Sequence, residues 1–153
     1  MTPKPTHKDV WTFDLDSKVF IEVVHWGVDR ERSEFTALNN GNGVWNYYCS
    51  IPERVMPDRF EELWLPVKML KFSEAGAEHE SYDYMKAPFA NVSWRCGITF
   101  YAQIGQNKGH RIVKLGCDYS HLYDQEHGYP YSRESVCNDA LETAKQLIEL
   151  YKI

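Results

Sequence analysis

A single α+β domain is predicted, mainly an antiparallel twisted sheet of about five strands packed by one long C-terminal helix. Three observations predict it. Trp94–Ile104 and Arg111–Cys117 each alternate at the two-residue period and flank a loop bounded by Gly105 and Gly109, the pattern of a β-hairpin. Val19–Trp26 is a β-branched and aromatic run bounded by turn residues. Between Ser132 and Tyr151, apolar side chains recur at helical spacing with charges opposite.

The elements follow in order. Residues 1–8 hold two prolines among polar neighbours and read as a loose lead-in. Val10–Leu15 is a short strand, and Asp14, Asp16 and Ser17 supply turn chemistry. Val19–Trp26 is apolar on both parities, which predicts a central strand covered on both faces. Phe35–Leu38 is a further short strand, and Asn39–Gly43 carries residues that accept positive φ, as a hairpin loop needs. Val44–Ile51 places Trp45, Tyr47, Cys49 and Ile51 on one face, and Pro52 ends it because it cannot donate to the ladder. A short helix near 57–65 fits Pro57 as its first residue, with Phe60, Leu63 and Trp64 on one face and Pro66 as its stop.

Residues 72–93 show no sustained period and read as a long loop, acidic with interleaved aromatics. In Trp94–Ile104 the residues Trp94, Cys96, Ile98, Phe100, Ala102 and Ile104 face one way. On the return strand Arg111, Val113, Leu115 and Cys117 share a parity. The last helix begins at Ser132, a good N-cap, with Glu134 near the positive end of the dipole. Val136, Ala140, Thr143, Ala144, Leu147, Ile148, Leu150 and Tyr151 form its apolar stripe, and the two alanines permit close approach to the sheet.

Composition bounds the function. A chain of 153 residues can bury roughly 70% of its unfolded surface, so neither metal nor disulfide is needed for folding. Ten Tyr and five Trp suit a sheet with half-wet faces. The formal charge of −5 weakens attraction to phosphate backbones, and no Lys/Arg cluster offsets it, so extended nucleic acid is disfavoured as a partner. No apolar core of about 7–15 residues follows the first lysine, and no run approaches the ~20 residues of a membrane span. A soluble cytoplasmic protein without membrane contact is expected. Cys49, Cys96, Cys117 and Cys137 form no C-x-x-C pair and read as reduced, mostly buried thiols.

Chemically able side chains concentrate in Cys117–His127, between a strand and a helix. Cys117, His121 and His127, with Asp118 or Asp124, are of the types that hold Zn²⁺. Their C-x₃-H-x₅-H spacing matches no established zinc pattern, so no cofactor is expected, with zinc the one alternative. A Cys–His nucleophile would pair Cys117 with His121 or His110, but the apolar neighbours on its strand favour an inert thiol. Asp118, Asp124 and Glu126 are too ordinary in a loop to mark an acid/base pair. No Gly-rich phosphate loop, G-x-S-x-G or H-E-x-x-H occurs.

Gly116–Asp124, followed by Tyr131 and an amphipathic helix, resembles a segment of small phage and prophage-type proteins to which no activity is attached. The resemblance covers about thirty-five C-terminal residues, with echoes around Trp45–Glu53 and Trp94–Tyr101. It implies an accessory protein acting inside a bacterial cell.

A non-enzymatic binding protein is the expectation, directed at a bacterial host protein or defence complex. Its contacts would come from Tyr82, Asp83 and Tyr84 in one loop and from Asp118, Tyr119, His121, Tyr123, Asp124, His127 and Tyr131 in the other. One alternative is a small nucleotide-like ligand held by aromatics with Arg95, Arg111 or Lys114. The other is a zinc- or thiol-dependent enzyme using Cys117–His127. A homodimer also remains open.

Overall fold

The computed structural model describes residues 5–28, 44–71, 78–119 and 132–153. Five strands form the main sheet: β1 (Pro5–Leu15), β2 (Val19–Val28), β3 (Val44–Pro52), β6 (Phe100–Ile104) and β7 (Ile112–Asp118). Their order is β1-β2-β3-β7-β6, and every neighbouring pair is antiparallel. Two further strands, β4 (Lys68–Lys71) and β5 (Glu78–Ser81), pair with each other and, among the described residues, with no other strand. The helix α1 spans Arg133–Tyr151. The α+β class, the five-stranded sheet and the C-terminal helix are as the sequence predicts.

The sheet's register sorts the side chains. Val23 faces Tyr47 and Tyr47 faces Cys117; Ile21, Cys49 and Leu115 form the next row. These six are buried, and α1 lies over them with Val136, Ala140, Thr143, Ala144, Leu147 and Tyr151 turned inward. Ala140 carries no side chain beyond Cβ, so the helix backbone comes within 3.9 Å of the Cys49 thiol through its carbonyl. Ser132 caps the helix in a reciprocal pair with Ser135, whose hydroxyl takes the place usually held by Glu. Leu150, assigned to the apolar stripe, is exposed, because it sits on the stripe's margin in the last turn.

The β1–β2 turn places Asp16 and Ser17 at φ 54° and 56°, with the Asp14 carboxylate accepting from Ser17 N–H at 2.7 Å. Lys18 N–H closes the turn on Leu15 O at 3.0 Å, and positive φ at its two central residues suits the twist of the strands that the three-residue loop joins.

With Leu150, five expectations are corrected. β1 starts at Pro5, inside the supposed lead-in, because β2 runs to Val28 and offers pairing partners that far. The short helix expected near 57–65 is present as the 3₁₀ turn Phe60–Glu62, preceded by another at Glu53–Val55. The eight residues between Pro57 and Pro66 are too few to repay α-helix nucleation, so the turn stays 3₁₀. The 72–93 loop contains β5 and the 3₁₀ turns Tyr84–Lys86 and Pro88–Asn91.

The fourth correction concerns Trp94–Ile104. Cys96 and Gly97 take positive φ, so the chain turns there and β6 begins only at Phe100. Trp94 and Ile98 are buried as expected, but within β6 the faces are exchanged. Tyr101 and Gln103 pair with core-facing Leu115 and Val113, while Phe100 and Ile104 are exposed.

The fifth concerns β2, which is not covered throughout on its second face: Val24 is buried there, but Phe20 is exposed. Among the described residues no helix packs on that face. The predicted strand Phe35–Leu38 and loop Asn39–Gly43 lie outside the described residues. No described helix is long and apolar enough to cross a membrane.

Candidate functional site

Two regions hold the site residues named from sequence that fall within the described structure. The first is the end of β7. Consecutive strand residues point to opposite faces, so Cys117 enters the core while Asp118 stays on the outer face, accepting from Thr99 Oγ1 at 3.2 Å. Burial pushes the Cys117 thiol up to about 12. An uncharged thiol in that setting is no nucleophile at neutral pH. His110 precedes β7 and Cys117 lies near its far end. Seven residues of extended chain separate them by roughly 23 Å, so the two cannot act together.

Tyr119 follows β7 with its N–H bonded to Trp45 O at 2.9 Å, and its hydroxyl meets Asp139 of α1 at 2.5 Å. Burial first, and then the Asp139 bond, hold this phenol far above its ordinary pKa. Beside it runs a chain of hydrogen bonds. Arg95 N–H donates to Tyr47 Oη at 3.2 Å, Tyr47 meets Thr143 Oγ1 at 2.7 Å, and Thr143 bonds the Ser93 carbonyl. A cavity of about 230 Å³ opens here, lined by Ser93, Trp94, Arg95, Cys96, Asp139 and Glu142 together with Tyr47. Its function in the fold is plain: it is where the 93–97 turn is bolted to sheet and helix.

His121, Tyr123, Asp124, His127 and Tyr131 lie outside the described residues. Among the described residues no three His, Cys, Asp or Glu side chains converge as a metal site would require. The four cysteines are free thiols; Cys49 and Cys117 are buried, Cys137 is half-buried and Cys96 is exposed at its turn.

The second region joins β4, β5 and the segment Tyr82–Met85. Tyr82 and Tyr84 are half-buried against Tyr101 of β6, at centroid distances of 5.0 and 6.0 Å, and Phe89 stacks on the same ring at 5.9 Å. Tyr101 is itself fixed: its hydroxyl donates to Leu63 O at 2.6 Å and accepts from Leu65 N–H at 2.9 Å. Asp83 is ion-paired with Lys68 of β4, which holds its carboxyl below the usual range through that hydrogen bond. Tyr82 and Tyr84 thus anchor this region to the sheet. Tyr101 pairs with Leu115, three residues before Asp118, so this aromatic anchor and the Tyr119–Asp139 contact are separate places.

What the anchor holds in place is more exposed than the anchor itself. Val67, Met69, Leu70 and Met85 are 48%, 54%, 44% and 66% exposed. Sequence reasoning missed these four residues. The available signal was Val67–Lys71 just after Pro66, too short and too polar on its flanks to stand out as a strand.

The cations proposed to hold a phosphate are engaged elsewhere. Arg111 is buried, bonded to Glu53 at 2.9 and 3.1 Å and to Glu61 at 2.5 Å, with its guanidinium 4.7 Å from the Trp64 centroid. Lys114 lies 3.5 Å from Glu22 and 4.5 Å over the Tyr48 ring. The Arg95 guanidinium sits 5.7 Å from the Tyr119 centroid. No family model, curated protein or solved structure matches the chain.

Proposed function

We propose that this chain is a non-enzymatic binding protein that occupies a bacterial host protein or defence complex through the surface of β4, β5 and the Tyr82–Met85 turn. One observation carries the reading: a two-stranded hairpin stands apart from the main sheet and exposes Val67, Met69 and Leu70, with Met85 exposed nearby. A lone two-stranded hairpin is marginal in water, and an exposed apolar group on such a piece suits burial against another molecule. Methionine adapts to varied surfaces, and the tyrosine anchor limits the ordering cost of docking. The bacterial setting rests on the resemblance of Gly116–Asp124 to phage and prophage-type proteins.

Two observations favour this reading over the alternatives: the Cys117 thiol is buried and raised to about 12, and Arg111 and Lys114 are engaged with Glu53, Glu61 and Glu22.

Affinity capture from bacterial lysate tests the proposal, comparing the native chain with a Met69→Asp, Leu70→Asp, Met85→Asp variant. A specific protein retained by the native chain and lost by the variant is expected. Equal retention by both, or none by either, overturns it.

A further inference from the structure

Resting on that reading of the hairpin, we infer that the partner docks as an extended chain adding a third strand along β5, with a Lys or Arg side chain beside Glu80. The sheet has only two strands, so each carries one edge unpaired by any other strand among the described residues. Such an edge accepts a strand through main-chain hydrogen bonds, while alternate side chains select the partner.

Charge decides which edge and which partner. β4 carries Lys68 and Lys71 and no acid, and both are already matched: Lys68 by Asp83, Lys71 by Glu78 directly across the ladder. β5 carries Glu78 and Glu80 and no Lys or Arg. Glu80 stands opposite Met69, so no cation faces it from β4. Among the described residues of the hairpin, the charge with no opposite charge across the ladder is therefore that of Glu80, on β5.

Register then sets the pattern of the incoming chain. Glu78 and Glu80 share one face with Lys71 and Met69; His79 and Ser81 share the other with Leu70 and Lys68. A basic residue beside Glu80 can place its ammonium or guanidinium on that carboxylate and lay its stem toward Met69. Residues flanking that basic position fall on the opposite face, toward Leu70, and are best apolar. The matching segment alternates basic and apolar residues.

A second copy of this chain fits poorly. Antiparallel pairing of β5 with a symmetry mate about His79 sets Glu78 against Glu80, which destabilises a ladder. The chain's net charge of −5 also steers a basic partner inward.

The test uses the full chain with two synthetic eight-residue peptides, one alternating Lys and Val, the other Glu and Val. Binding is read by fluorescence anisotropy at low and physiological salt, with amide exchange to locate it. The Lys/Val peptide is expected to bind, more weakly as salt rises, and to protect amides within 78–81. Glu80→Lys, an exposed change whose melting curve is checked against the native chain, should weaken that peptide about tenfold and favour Glu/Val.

Equal binding of the Lys/Val peptide to native and Glu80→Lys chains overturns the inference. Protection at β1 or β6 instead, or a concentration-dependent dimer protected at 78–81, does the same. A lysate partner kept by Glu80→Lys but lost by the Met69, Leu70, Met85 variant removes strand addition and leaves the binding surface. A partner kept by both removes the surface as well.

Discussion

At the scale of single residues, the outer face of the sheet depends on one absent side chain. Gly116 lies opposite Tyr48, and the Tyr48 ring crosses the space a Cβ would fill, with ring carbons at 2.3 and 2.8 Å from that position. The ring is further held edge-on by Phe100 at 5.1 Å and capped by Lys114. Gly116→Ala must push the ring off the sheet, and overpacking of this kind costs about 1–3 kcal/mol. Chemical denaturation should show that loss, and most of it should vanish when the same change is made in a Tyr48→Ala background.

Glu53 gives a residue-scale prediction of the opposite kind, a charge whose partners are built in. Its carboxylate accepts from the Arg111 guanidinium and from the N–H groups of Gly109 and Arg111, tying the β6–β7 loop to the 3₁₀ turn after β3. Above all, the Arg111 bond holds the Glu53 carboxyl down at about 2. An unfolded Glu titrates near ~4.3. The stabilisation is therefore complete above that value and lost as pH falls through it toward about 2. Denaturant midpoints measured across this window should drop in the native chain. In Glu53→Gln they should start lower at neutral pH, with Arg111 left buried beside a neutral partner, and vary less with acid.

At the scale of elements, α1 is held at its start by Ser132 and in its middle by Thr143. Ser132→Ala removes the acceptor for Ser135 N–H and should cost about 0.5–2 kcal/mol. Tyr47→Phe removes the hydroxyl that links Arg95 N–H to Thr143. Losing that half-buried link should cost about 0.5–1.5 kcal/mol, read as a lower midpoint in the same titration.

Elements with a long, regular side-chain period were legible in the sequence: α1 apart from Leu150, the face Trp45–Ile51 and the parity of Arg111–Cys117 stand as read. Phe100–Ile104 was misread because the alternation does not run unbroken from Trp94: Cys96 and Gly97 turn the chain, with no sequence mark beyond Gly97 itself, and β6 starts afresh at Phe100. Trp94 and Ile98 keep the inward side, but within β6 that side belongs to Tyr101 and Gln103. The β4–β5 hairpin was missed because its strands are four residues each and bury no continuous apolar face, leaving no period to detect. Of the candidate site, the acidic aromatic segment around Tyr82–Tyr84 was visible as unusual. Its division of labour was not, since only the fold shows that the tyrosines anchor to Tyr101 while Met69, Leu70 and Met85 face water.

At the scale of the whole molecule, four thiols distributed through one chain report which parts open together. Cys96 is exposed on its turn, Cys137 is half-buried on α1, and Cys49 and Cys117 lie between sheet and helix. Burial raises both core thiols, Cys117 to about 12. At pH 8 the Cys117 thiolate fraction is then on the order of a thousandfold below that of an ordinary thiol. Reaction with a disulfide reagent should modify Cys96 at once and Cys137 more slowly. Cys49 and Cys117 should follow together, at a rate set by opening of the sheet–helix core and not by reagent access. Mild denaturant should accelerate those two in parallel, since Leu115 separates Cys117 from nothing that could open independently: it pairs with Cys49 itself. If Cys117 instead labels with Cys96, the β7 end of the core opens on its own, and the Tyr119–Asp139 contact does not close it in solution.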